Sequence, residues 1–202
     1  MSKVCEYFFA PHSPWSFLGH QRFIDLAKQY NVKIDLKPCD LGKVFSVSGG
    51  VPILKRAPQR QAYRLLELQR WSGFLKMEMH VQPSFFPVAP DNAARLIIAT
   101  QLAHGTERAL QLTTAIMRAV WVEQKNIAEP DTLIGLALDM ELDGKSLVKT
   151  AETASVQAEY DRFTQEANSA NVFGAPWYVF RGEGFWGQDR LDFLERAFQQ
   201  AS

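Results

Sequence analysis

Cysteine is the scarcest reactive residue in this chain. Cys5 and Cys39 are the two thiols among 202 residues, and they form no Cys-x-x-Cys pair. A dithiol that closes into a disulfide within one helical turn is therefore excluded, and no Cys–His cluster has metal-ligand spacing. Both cysteines stand in strand-like contexts and read as buried free thiols. Charge of either sign is not in excess: Lys+Arg and Asp+Glu each number 22. No global field then favours nucleic acid or an anionic membrane. Long apolar runs are missing too, so no segment is a candidate for crossing a bilayer. Met1-Ser2-Lys3 runs directly into a short strand pattern bounded by Pro11, with no secretory leader pattern. These absences leave the expectation of a reduced, cytoplasmic enzyme or binding protein whose partner is a small molecule. The apolar share, 47%, fills an ordinary core. The length suits one large domain or a domain with an insertion.

What is present has a clear order. Val4 to Phe9 is a short aromatic strand. Ser13 is a good N-cap and Pro14 fits the first helical position. Phe17, His20, Phe23, Ile24, Ala27 and Tyr30 recur at helical spacing, and Asn31 tolerates the left-handed conformation that stops the helix. Val32 to Leu36 alternates as a second strand. Strand, helix, strand over so short a span predicts a parallel βαβ unit with a right-handed crossover. From about Leu41 to Asn168 the periodicity is helical. Helices are expected from Pro58 to Trp71, from Asp91 as cap to His104-Gly105, from Thr106 through Trp121, from Asp131, and over Ser155 to Asn168. Strands return at Trp177 to Phe180 and Phe185-Trp186, separated by a turn over Arg181-Gly182-Glu183-Gly184. A last helix carries Leu191, Leu194 and Phe198 on one face. Without the helical block the order is βαβ-ββα, the thioredoxin topology. The predicted division is 1–42 with 169–202 for the core and 43–168 for an α-helical insertion.

Four places carry chemistry. Ser13-Pro14-Trp15-Ser16 stands where a thioredoxin-like redox protein has Cys-x-x-Cys. Ser-Pro is by itself an ordinary helix cap. Here the first-turn amides and the positive end of the helix dipole also favour an anion beside Ser13, and a thiolate held there has its pKa lowered. Ser13 is then an activator of a bound thiol, not a nucleophile, since no His-Asp relay is visible. The adjacent His12 either helps that thiol or is a solvent-exposed loop histidine. In Val172-Phe173-Gly174-Ala175-Pro176 the proline is an edge marker or, in this topology, a cis-proline, which leaves Ala175 to pair with an extended peptide-like ligand. Trp186-Gly187-Gln188-Asp189 opens the final helix with Asp189 as N-cap, and a carboxylate at a helix N-terminus also suits a zwitterion. Lys43, Lys55, Arg56, Arg60 and Arg64 form a basic stretch with no acid from 41 to 66, which is a solvated face or a carboxylate holder.

Together these motifs resemble a family. The chain is similar to the 2-hydroxychromene-2-carboxylate isomerases and, more distantly, to kappa-class glutathione transferases and DsbA-like disulfide oxidases. The resemblance runs nearly end to end. It rests on Ser13-Pro14-Trp15-Ser16-Phe17-Leu18, on Tyr63 through Glu67 to Arg70-Trp71, and on Arg118-Ala119-Val120-Trp121. It rests further on Val172 to Pro176 and on Phe185-Trp186-Gly187-Gln188-Asp189-Arg190-Leu191. It implies an α/β thioredoxin-like core with a large α-helical insertion, a homodimer, and glutathione as cofactor with no metal. By position Ser13 meets the glutathione sulfur, and Ala175 with Pro176 takes the cysteinyl unit. Trp186, Gly187, Gln188 and Asp189 form the γ-glutamyl site. Trp15, Phe45, Lys55, Arg60 and Phe85 are the expected substrate pocket. Asn171 stands where the family often has Gly, a change its left-handed tolerance absorbs. The implied activity is glutathione-dependent isomerisation of an unsaturated aromatic carboxylate. A kappa-like transferase and a redox-inactive binding module are the alternatives.

Overall fold

A computed structural model describes residues 3–201. A four-stranded sheet in the order β2-β1-β3-β4 lies at its centre. β1 (Val4–Phe9) and β2 (Lys33–Pro38) are parallel, with Val4 opposite Lys33 and Phe9 opposite Pro38. β3 (Trp177–Phe180) runs antiparallel to β1, and β4 (Glu183–Trp186) antiparallel to β3. α1 (Pro14–Gln29) makes the crossover, and Asn31 ends it at φ 52. Between β2 and β3 come α2 (Leu41–Ser48), a 3-10 turn (Ile53–Lys55), α3 (Pro58–Leu75), α4 (Asp91–Trp121), α5 (Pro130–Leu138), α6 (Gly144–Ala151) and α7 (Ala154–Ser169). α8 (Leu191–Gln199) closes the chain. This is the α/β thioredoxin-like core with a large helical insertion.

The period-2 alternation of β1 sets the two faces of the sheet. Cys5, Tyr7 and Phe9 enter a large core with Phe17 and Phe23 of α1, Leu96, Ile116 and Trp121 of α4, and Phe198 of α8. Phe8 points the other way, into a small core with Cys39, Val44, Ala167, Val172 and Trp177. Each fully buried aromatic or leucine contributes about 1.5–3 kcal/mol. The large core runs without interruption from the sheet into α4, α5 and α6. The insertion is thus a unit of topology that shares the core of the sheet. Met1, Ser2 and Ser202, at the ends of the expected core segments, lie outside the described residues.

Several expected boundaries move. α2 and α6 are helices that periodicity alone does not single out, because each has only 8 residues. Each is set by an aspartate cap: Asp40 accepts from the Gly42 and Lys43 amides, and Asp143 from the Ser146 amide. Asp91 and Asp131 do not cap their helices. Pro90 and Glu129 hold those positions, and Asp91 instead accepts from the Tyr160 hydroxyl at 3.4 Å. The helices on either side of Gly105 abut as one run, broken where Gly105 has φ 84 and ψ 170. The final hairpin is tighter than expected. Arg181 (φ 52) and Gly182 (φ 82) form the whole turn, the doubly positive geometry that matches strand twist.

One ion cluster around a buried lysine ties these layers together. Lys37 on β2 is 5% exposed and its Nζ lies 2.5 Å from Glu6, 3.0 Å from Asp35 and 2.8 Å from Glu166. Burial alone would lower the ammonium pKa, but the hydrogen bonds it donates to Glu166, Glu6 and Asp35 outweigh this and raise it. The cluster fastens β1, β2 and α7.

Candidate active site

The N-terminus of α1 emerges from the end of β1 through Ala10-Pro11-His12. Ser13 is 6% exposed, in an extended conformation, and its amide donates to the Ala10 carbonyl at 2.9 Å. Its Oγ accepts the Ser16 amide at 3.2 Å. The hydroxyl proton has no acceptor among the described residues. Pro14 has no amide hydrogen, and the Ser16 amide is taken. The first-turn donor left open among the described residues is the Trp15 N–H. Ser13 O–H and Trp15 N–H therefore share the positive end of α1, a place for an anion. No thiol stands there. Cys5 and Cys39 are fully buried, and burial pushes the Cys39 thiol up to about 12 and raises that of Cys5 further.

The second wall is the loop before β3. Ala175-Pro176 is a cis peptide bond, as expected, and Asn171 has φ 56. The Gly187 amide donates to the Pro176 carbonyl at 2.9 Å, extending the β3–β4 ladder by one rung. The backbone of Ala175 makes no hydrogen bond among the described residues. Trp186 lies across this loop. Its ring meets Phe173 edge-on at 4.8 Å, and a Cβ on Gly174 would come within 2.5 Å of its indole nitrogen. Only glycine lets the indole lie that close.

The segment after Trp186 differs from the expected cap. Gly187 (φ 98) precedes a 3-10 turn, Gln188–Arg190, and Arg190, not Asp189, precedes α8. Asp189 makes no cap hydrogen bond, because the 3-10 turn points its carboxylate outward to Arg190, Nη1 at 2.6 Å. Gln188 turns inward. It is 1% exposed, packs against α1 where Gly19 leaves room, and accepts from Arg22 Nη1 at 2.7 Å through Oε1. Gln188 thus holds the turn against α1 while Asp189 faces solvent.

The expected substrate residues scatter more widely. Trp15 and Phe45 are half-buried, Phe45 against Gly50, while Lys55, Arg60 and Phe85 are exposed. His12 is not an exposed loop histidine. Its ring stacks on Phe86 at 6.2 Å and its Nδ1 is buried. Burial lowers its pKa to about 4, with Asp40 opposing and Arg64 adding to the shift. Phe86, not Phe85, faces inward, and Arg64 is the buried cation of the basic stretch. A cavity of about 380 Å³ between α1, α4 and residues 76–78, lined by Phe17, His20, Met77, Thr114 and Met117, contains none of the predicted site residues. His20 there is a core link. Its Nε2–H donates to the Leu110 carbonyl at 3.2 Å, so its Nδ1 accepts from the Tyr7 hydroxyl at 3.1 Å. No group of three His, Cys, Asp or Glu side chains is placed to hold a metal among the described residues. No described helix is long and apolar enough to cross a membrane.

A thioredoxin-type sheet, a cis-proline loop and a helix N-terminus without thiols define the class. The DSBA-like thioredoxin domain model matches residues 4–199, and the chain belongs to that family. The 2-hydroxychromene-2-carboxylate isomerase of Pseudomonas putida is 30% identical over 96% of this chain and 93% of its own length. Human glutathione S-transferase kappa 1 is 22% identical over 96% of this chain and 90% of its own. The solved structure of a 2-hydroxychromene-2-carboxylate isomerase has a TM-score of 0.84 at 23% identity, covering 98% of this chain and 95% of that one. The relatives of this chain thus include both isomerases and glutathione transferases.

Proposed function

We propose that this chain is a glutathione-dependent isomerase of an unsaturated aromatic carboxylate. The observation that carries the reading is the pair of open donors at the start of α1, Ser13 O–H and Trp15 N–H, standing where dithiol relatives carry cysteine. The remaining groups fit the tripeptide. Ala175 offers an unpaired backbone edge for its peptide units, and Asp189 beside Trp186 and Gly187 offers a carboxylate for its ammonium. When bound, its thiolate supplies reversible addition to a conjugated double bond, which lets that bond turn before the thiol leaves again. The residues of this chain set the conditions for that. Ser13 and Trp15 stabilise the negative sulfur by donating to it, and the α1 dipole acts on the same atom. Gln188, held by Arg22, keeps the Asp189 turn in register with α1. The kappa transferase relative supports the same thiol site with a different outcome. A homodimer goes with this reading: Tyr63, Leu66 and Phe74 share one exposed face of α3. So does a reducing compartment, which suits both the cofactor and the buried thiols.

The test is incubation with 2-hydroxychromene-2-carboxylate, with and without glutathione, while product and free thiol are followed. Isomerisation that requires glutathione and leaves the thiol count unchanged is the expected result. Loss of free thiol into a conjugate makes the chain a transferase. No turnover of either kind leaves a redox-inactive binding module.

A further inference from the structure

Five cations crowd residues 43–64, and four have an ordinary surface role. Lys43 pairs with Asp161, Arg56 donates to the Val51 carbonyl, and Lys55 and Arg60 are exposed. Arg64 is different. It is 9% exposed, no carboxylate lies within ion-pair distance of it among the described residues, and its Nη2 is buried without a hydrogen-bond partner. Its guanidinium lies 4.9 Å over the Phe86 ring and 6.0 Å from that of Trp121, and those two rings are 4.8 Å apart. His12 stacks on the same Phe86 ring, with its Nδ1 buried and unpartnered, and Trp121 Nε1 is in the same condition.

A guanidinium nitrogen and two ring nitrogens are therefore orphaned around the Phe86 ring, and one of the three residues, His12, directly precedes Ser13 in the chain. About nine in ten buried polar groups in folded proteins are hydrogen-bonded. Cation–π contact at a desolvated site offsets about 2 kcal/mol or somewhat more, against several for a buried unpaired charge. Burial and the charge of Arg56 lower the Arg64 pKa to about 10, so it remains a cation at neutral pH. His12 is neutral there and keeps one ring N–H to donate. The partner these three nitrogens lack is thus an anionic acceptor, with aromatic rings beside it.

On the basis of the thiol-dependent reading above, we infer that Arg64, with His12 and Trp121 beside it, anchors the carboxylate of the conjugated substrate, whose ring packs at the edge of this aromatic cluster. Glutathione also carries carboxylates, but they are aliphatic, and the two rings under Arg64 match an aromatic acid. Arg64 is then the specificity residue of the site, in place of the exposed Lys55 and Arg60, and neutral analogues are rejected.

The experiment is calorimetric titration of the full chain, with and without glutathione, using cinnamate and its neutral twin cinnamide. Wild type is expected to prefer cinnamate by about ten- to a hundredfold, the range of a charged hydrogen bond. Arg64→Met should abolish the preference, Arg64→Lys should keep part of it, and glutathione affinity should stay unchanged in both. Equal binding of the two probes by wild type, or none, overturns the inference without any variant, so a misfolded variant cannot shelter it. So does a preference that survives Arg64→Met. Loss of glutathione binding in Arg64→Met with the cinnamate preference intact reassigns the arginine to a carboxylate of glutathione and overturns it as well. Absence of isomerisation with the cinnamate preference intact removes the proposed reaction and leaves the anchor standing.

Discussion

Ser13→Ala separates two jobs done by one oxygen. As an acceptor, Oγ caps α1 by taking the Ser16 amide at 3.2 Å. Loss of such a cap costs about 0.5–2 kcal/mol, which for a chain of this length lowers Tm by roughly 2–4 °C per kcal/mol. As a donor, the hydroxyl proton is open to a thiolate. A hydrogen bond to a charged group is worth about 1.5–3 kcal/mol, so its loss raises the pKa of a bound thiol by roughly one to two units. Below both pKa values the thiolate fraction, and with it turnover, falls about ten- to a hundredfold. The defect is in ionisation, so turnover should recover as pH rises past the new pKa, and glutathione affinity should change less than turnover. Ser13→Asp sharpens the separation. Aspartate caps as well as serine and suits the helix dipole, so the fold should be as stable as wild type. It has no proton to give at neutral pH and repels the sulfur, so turnover should be lost. Calorimetric melting gives the first job, and pH–rate profiles with ultraviolet titration of the bound thiol give the second. A turnover defect in Ser13→Ala that does not vary with pH, or a bound thiol whose pKa does not move, refutes the assignment of Ser13 as thiolate donor. Turnover by wild type without any thiol refutes the mechanism.

Four shorter predictions follow from the same geometry. Gly19→Ala, a change that normally favours a helix, should destabilise by about 1–3 kcal/mol, because the new Cβ would meet Gln188 Cβ at 2.9 Å and the Tyr178 hydroxyl at 3.0 Å. Its effect on glutathione affinity, read by thermal shift, should follow, since it displaces the Asp189 turn. Asp189→Ala should weaken glutathione binding about tenfold or more by leaving the ammonium unpaired, and an unchanged affinity removes Asp189 from the site. His12 and His20 both have pKa values lowered from 6.5 to about 4, chiefly by burial. The unfolded chain then binds more protons between those values, so stability is full above pH 6.5 and is lost as pH falls toward 4, by about 3 kcal/mol for each histidine. Denaturant midpoints across that range should fall less steeply in His20→Gln, and a flat wild-type profile contradicts the burial argument. Insulin reduction should not be catalysed, because neither thiol is reachable, and wild-type activity that is lost in a Cys5→Ala, Cys39→Ala double variant contradicts this.

The fold was legible where a local rule coincided with the tertiary outcome. Val4 to Phe9 alternates, Ser13-Pro14 caps, and Asn31 tolerates positive φ, so the βαβ unit follows from residues that each satisfy a local preference. The final hairpin was legible for the same reason, apart from its turn length. The insertion was less so. Asp40 and Asp143 cap helices of 8 residues, and a run that short yields too few turns for periodicity to stand out. Asp91 looked like a cap because it precedes an apolar run, yet Pro90 already holds the position and frees the carboxylate for Tyr160. Asp189 failed as a cap on similar grounds, since the 3-10 turn inserts one more residue before α8 begins.

The start of α1 could be read because Ser13-Pro14 satisfies a local capping rule at a position whose geometry the topology sets. The acid-binding end could not be read from composition, since in sequence Lys43, Lys55, Arg56, Arg60 and Arg64 are five equivalent cations. A signal nevertheless existed. Arg64, Leu68, Trp71 and Leu75 recur at intervals of four, three and four along α3, the spacing of one helical face. Leu68 on that face is fully buried. Arg60, one turn earlier, extends the same face but lies beyond the core and is exposed. A charged side chain on an apolar stripe either snorkels to water or meets an opposite charge. Arg64 does neither among the described residues, since its Nη2 is buried without a partner. His12 offered no such pattern: its burial depends on Phe86, distant in the chain, folding back over the start of α1. One half of the proposed anion site is thus written in the period of a single helix, and the other half exists only once the insertion packs against the core.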